Sequence, residues 1–413
     1  NHADIATGFL AAASYGNVTI QDISITNSSI SAKETVGGLL GGVGESLTVN
    51  NVTLSTIIDG SSGGIGGLIG FIDEASITIS NVNNYSLING LESIGGIIGV
   101  IKDSTITMTS VSNFGDVTTK SDNVGGLVGK NEGDLVVNFS SNFGNVSGAS
   151  FVGGIVGYNT LNLTLTNISN AATIFGTEVN IGGILGINTI DTSNINNQLF
   201  GVVTMTSVEN YGDINGDHSI GGIVGSNSNV IEMASISNHA NISGSSSTGN
   251  IGGIIGLNNN NGSISIINQF NIGNVEGQNN VGGMVGYNQS GNISILNSYN
   301  AGIITSSSAT PGAIVGNNNS TITLGGIFYL SGSALEAFGV GTVTSGTASG
   351  ISLGAMITLE TFNNAGWNIS SDNTKTWSIG YQDDFTYPWL STTVSPSSIQ
   401  IISQAEAFTA LGI

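Results

Sequence analysis

The sequence predicts an all-β chain. It reads as a parallel β-solenoid (β-helix) of about eleven coils of about 30 residues, with three short strands per coil and a C-terminal β-rich cap or junction. Three observations carry this reading. A Gly-Gly-aliphatic-aliphatic-Gly signature recurs at near-constant spacing. An Asn-x-small-x-Val/Ile signature falls between its copies. The runs linking the two alternate apolar with polar residues and favour β-branched side chains, whereas helix-period stripes and helix caps are almost absent.

The glycine signature starts at Gly37, Gly66, Gly95, Gly125, Gly153, Gly182, Gly221, Gly252 and Gly282, with a variant at Gly312, so the spacings are 29, 29, 30, 28, 29, 39, 31, 30 and 30. A weaker copy around Gly8 precedes them by 29 residues. Residues 1–330 therefore form the repeat array, with a degenerate first coil over 1–30, and residues 331–413 form a cap or junction with a terminal strand. The spacing of 39 places an insertion loop near 188–201. Three strands cannot close a core alone, so successive units must stack, with parallel strands about 4.8 Å apart and a rod roughly 50 Å tall. Glycine and asparagine suit the corners because they tolerate positive φ.

The second signature begins at Asn84, Asn113, Asn142, Asn170, Asn210, Asn238, Asn271 and Asn300. Alternating runs such as SITIS (76–80) and LTLTN (163–167) read as strands. Beyond each glycine core from the fourth clear unit on stands an asparagine: Asn131, Asn159, Asn188, Asn227, Asn258, Asn288 and Asn318. Stacked amides can bond from turn to turn, which makes these a candidate structural ladder, with service in turns as the alternative. Val43, Ile72 and Ile101 take this place in the first three full units. Two adjacent aliphatic stripes also run up the rod. Leu39, Leu68, Ile97, Leu127, Ile155, Ile184, Ile223, Ile254, Met284 and Ile314 form one, and Leu40, Ile69 and their equivalents the other. Neighbouring strand residues face opposite ways, so a straight strand buries only one stripe. The first is a candidate self-association surface unless the glycines bend both inward or another segment covers it. Aromatic residues recur beside the second signature at Tyr85, Phe114, Phe143, Tyr211, Phe270 and Tyr299, a row that packs the wall or stacks on sugars.

Composition removes several function classes. Five lysines are the only strong bases against 26 carboxylates, a formal net charge of -21, so no cationic groove for nucleic acid exists. No apolar run is long enough to insert in a membrane. The lack of an initiator Met or signal segment reads as a mature or excised piece. With no cysteine there are neither disulfides nor thiolate metal sites. Fifteen glycosylation sequons occur, among them Asn17, Asn51, Asn138, Asn162 and Asn292. Composition alone predicts about 11 or 12, so glycosylation is permitted rather than demonstrated.

Candidate chemistry is sparse. The histidines, His2, His218 and His239, lack zinc-protease spacing. GSSGG (60–64) matches a nucleophile-elbow pattern in a Gly/Ser corner. The pairs Asp73/Glu74 and Asp383/Asp384 read as solubilising charge, since adjacent strand residues diverge. Threonine runs resemble an ice-binding grid, but EMASIS (232–237) interrupts it. No cofactor, metal site or catalytic residue is expected.

Units such as VGGLVGKN (124–131) and SNFGNVSG (141–148) resemble the GLUG-repeat family of secreted and cell-surface proteins over residues 37–316. WSIG…YPWL (377–390) looks like the segment closing such arrays, and SQAEAFTAL (403–411) like the lead-in to another. The resemblance implies a β-solenoid in adhesins, stalks or larger secreted enzymes, with structural motif residues. The expected function is a non-catalytic extracellular or cell-surface structural protein, a stalk, adhesin or self-assembling filament subunit whose partner is itself. The alternative is a monomeric adhesin that binds surface glycans, or a stalk segment of a larger secreted enzyme.

Overall fold

A computed structural model describes residues 6–190, 201–380, 385–391 and 401–402. The chain winds into a β-solenoid of about eleven turns, in which strands of successive coils pair in parallel. One coil shows the plan: β1 (Val281–Gly282), β2 (Val285–Asn288), β3 (Gly291–Asn300) and β4 (Ile304–Ser306). β1, β2 and β3 pair in register with their equivalents above and below, as in Ile255↔Val285↔Val315 and Ile266↔Ile295↔Leu324, and β4 pairs with its equivalent below. β3 is two straight segments joined at a left-handed corner, where Asn297 has φ 48°. The corner recurs at Asn51, Asn81, Asn167 and Asn268, residues that tolerate this conformation.

Both aliphatic stripes point inward. Leu39, Leu68, Ile97, Leu127, Ile155, Ile184, Ile223, Ile254, Met284 and Ile314 are fully buried, and they share one core with Leu40, Ile69, Ile98 and Val128. The surface available for self-association therefore lies elsewhere. The cause is a bend at each Gly-Gly pair, visible in the hydrogen bonds: the Met284 carbonyl accepts from both Ile254 N and Ile255 N, at 2.9 and 2.8 Å. At Gly253 the bend leaves no room for a Cβ, although Phe9 and Ala313 take the same place in the first and last copies of the signature. A methyl on Gly253 would strike the Gly283 carbonyl and come within 2.6 Å of the Asn271 side chain. A second core lines the other edge of the rod, built from Val36, Ile65, Ile94 and their equivalents together with residues such as Ile58 and Ile88.

The extra residues near 188–201 do not disturb the stack. Residues 191–200 lie outside the described residues, but Asn188↔Asn227 and Val203↔Ile231 keep register on either side. Stacking also continues past residue 330, because Glu336–Gly341 pairs with Gly312–Asn318, and Ala348–Ile351 with Thr321–Leu330. The cap proper begins at the short helices α1 (Leu353–Met356) and α2 (Leu359–Asn364). A small sheet of Ile369–Ser370, Trp377–Ser378 and Trp389–Leu390 follows. Ile401–Ile402, within the expected terminal strand, pairs antiparallel with Phe385–Thr386.

Candidate functional site

Two asparagine ladders run through the interior. Asn131, Asn159, Asn188, Asn227, Asn258, Asn288 and Asn318 form the first, each Nδ2 donating to the next Oδ1 at 2.7–3.0 Å. The second is formed by the asparagines that open the second signature. Asn84, Asn113, Asn142, Asn170, Asn210, Asn238, Asn271 and Asn300 bond in sequence at 2.7–3.0 Å. Asn84, Asn113, Asn142 and the rest of this set are fully buried. Each amide from Asn113 to Asn300 also donates to the carbonyl two residues on, as Asn271 does to Gly273 at 2.8 Å. Buried amides are thereby satisfied, and each net bond contributes about 1 kcal/mol. Their strict recurrence at one phase of the repeat was the signal that the sequence offered.

Ladder membership decides which sequons are accessible. Asn84, Asn288 and Asn318 head sequons yet are buried. Asn17, Asn51, Asn162 and Asn292 are exposed and Asn138 is half-buried. Asn51 already donates to Asp22 Oδ1 at 2.6 Å, and Asn162 to Asp134 Oδ1 at 2.8 Å.

The aromatic residues do not form one row. Tyr85, Phe114 and Phe143 follow the ladder asparagine and stack with centroids 4.7 and 4.9 Å apart and planes within 8°. Their edges face solvent. Tyr211 continues this row and stacks on His239 at 4.4 Å. Phe270 and Tyr299 precede the ladder asparagine instead, in register with Phe328, and they are buried under the cap. Trp367 Nε1 donates to the Gly326 carbonyl at 3.0 Å and Trp377 Nε1 to Asn268 Oδ1 at 3.2 Å, so the indoles pin the cap to the side of the rod. Tyr299 donates to the Pro388 carbonyl at 2.6 Å, and burial raises its phenol well above the ordinary value.

Glu209, Ser237 and His239 are the polar residues most reminiscent of catalytic groups. Ser237 Oγ donates to Glu209 Oε1 at 3.4 Å and lies 3.1 Å from His239 Nε2. The serine proton is committed to the carboxylate, so Nε2 is the donor. Burial lowers the His239 pKa to about 4. An activated serine needs the imidazole between hydroxyl and carboxylate, whereas here the hydroxyl is in the middle and fully buried. The cluster packs a wall.

The remaining candidates stay apart. His218 bonds Ser219 at 2.8 Å on the strand His218–Gly221, whereas His239 follows the strand Val230–Asn238, and His2 lies outside the described residues. Ser61 and Ser62 of GSSGG both donate to the Lys33 carbonyl. Asp73 pairs with Lys102 at 3.4 Å, while Asp383 and Asp384 lie outside the described residues. Among the described residues no three His, Cys, Asp or Glu side chains gather at metal-binding distance, and no helix is long and apolar enough to cross a membrane. Comparison with protein-family models, curated proteins and solved structures finds no match to this chain.

Proposed function

We propose that the chain is a non-catalytic structural rod, an extracellular or cell-surface stalk, adhesin or filament subunit that associates with copies of itself. The observation that carries this reading is the use made of the repeated residues. The glycine pairs, both aliphatic stripes and both asparagine ladders are directed into coil stacking. The Gly/Asn/Ser-rich repeats and the GLUG resemblance support the extracellular placement. Glycan binding has less support, because sugar stacking needs ring faces and the Tyr85–Phe114–Phe143 faces are turned on one another. Electron microscopy of the purified chain tests the proposal. Rods that join into filaments or bundles as concentration rises support it, and rods that stay dispersed at high concentration refute self-assembly. A glycan array checks the alternative: selective binding would replace the leading reading.

A further inference from the structure

The cap covers a wall defined by three positions per coil: the left-handed corner, the residue two further on, and the residue four further on. In the last full coils these are Asn268, Phe270 and Ile272, then Asn297, Tyr299 and Ala301, then Gly326, Phe328 and Leu330. Following the same positions down the register leads to a part of the wall that the described residues leave open. There they are Asn81, Asn83 and Tyr85, then Ser110, Ser112 and Phe114, then Phe139, Ser141 and Phe143. Tyr85, Phe114 and Phe143 are all exposed, and Ile57 and Leu87 extend the apolar area beside Tyr85.

We infer that this lower wall is a pairing surface for a second copy of the chain, whose own lower wall docks on it about a two-fold axis. The inference rests on the self-associating rod proposed above and names the surface responsible. Four observations converge. First, the wall continues an interface that the molecule already uses, since the cap packs on the same three positions of later coils, with aromatics at the middle one and Ile272, Ala301 and Leu330 at the third. Second, none of those nine lower positions (three in each of three coils) is charged, in a chain with a net charge of -21. Third, Phe139 occupies the left-handed corner with φ 49° and is 64% exposed. Asparagine holds that corner at Asn51, Asn81, Asn167, Asn268 and Asn297, and a bulky residue there is strained. No aromatic contact of Phe139 compensates for it among the described residues. Fourth, the exposed rings repeat at the strand spacing of about 4.8 Å, and the surface that matches this period is another stacked β-rod. A two-fold arrangement satisfies both copies with the same patch.

Three coils make a small interface, so pairing is weak, and like charges on the two rods oppose it. Sedimentation velocity of the full chain, from micromolar to near-millimolar concentration at low and high salt, tests the proposal. The expected result is a monomer–dimer equilibrium that strengthens with salt. Phe114→Ala with Phe143→Ala weakens it about tenfold or more, and the fold tolerates the change because Ala171 holds the same position in the next coil. Phe139→Asn is the decisive variant: it relieves the corner, so the melting temperature rises while association falls. Loss by misfolding would lower both. Leu335→Ser, on an exposed residue elsewhere, leaves pairing unchanged. A chain that is monomeric under every condition overturns the inference, as does pairing insensitive to the wall variants. If filaments persist in the wall variants with no lateral pairs in the wild type, only this inference fails. If no association of any kind is seen, the rod proposal fails with it.

Discussion

Replacing Asn238 with leucine removes an acceptor for Asn210 and a donor for Asn271 and Ala240, which bond it at 2.8, 2.7 and 2.9 Å. Leucine is close in size, so the effect isolates hydrogen bonding. Three buried polar groups lose a partner, and Asn238→Leu is expected to destabilise by about 2–4 kcal/mol in denaturant titrations. His239, the next residue, makes stability depend on pH. Its folded pKa of about 4 lies below the unfolded value of 6.5. The unfolded chain therefore binds the proton first as pH falls, and stability is lost between pH 6.5 and 4, by up to about 3 kcal/mol. The groups nearest the ring are Ser237, Tyr211, Phe270 and, through Ser237, the Glu209 carboxylate. An NMR titration should place the His239 ring protons near pH 4, and His239→Gln should flatten the acid limb of the stability curve. At Phe139, asparagine should stabilise the fold by about 1 kcal/mol through relief of the left-handed corner, read as a higher melting temperature.

At the scale of one element, the Gly-Gly bend governs everything downstream. Gly253→Ala places a methyl against the Gly283 carbonyl and the Asn271 side chain, and Asn271 cannot withdraw without breaking its rung to Asn300. The expected result is local opening of the coils around 253 and 283, seen as faster amide exchange there than in coils near Ile98. The strand order was legible in the sequence because the glycine spacing imposes the register directly. The bend was not. Alternation assigns Ile254 and Ile255 to opposite faces, and only the two hydrogen bonds to the Met284 carbonyl show that the chain turns between them. The second asparagine ladder was obscured for a related reason: an Asn followed by a small residue is also what a turn requires, and burial alone separates the two roles.

Over the whole molecule, the described residues of the cap are joined to the rod by side-chain packing on a wall. Trp377 is fully buried between Phe270, Tyr299 and Trp367 and also bonds Asn268. Trp377→Ala should cost about 3–5 kcal/mol, with detachment of residues 353–391 reported by a red shift in the emission of Trp367 and Trp389. The sequence showed that a tryptophan-rich segment ends the array but not where it sits. Its location depends on Phe270 and Tyr299 lying two residues out of phase with Tyr85 and Phe114, and the strand register turns that sequence shift into a separate, buried patch. One further consequence comes from the sense of the asparagine bonds. Every rung donates toward the C-terminal coil, and the carbonyl two residues on identifies the nitrogen in most rungs. The amide dipoles therefore add rather than cancel, and the interior carries two parallel electrical wires with the same sign at the same end. Such a rod has a direction. Copies meeting head to tail continue both wires, copies meeting head to head oppose like poles, and a fibre built along the axis would be polar from its first joint.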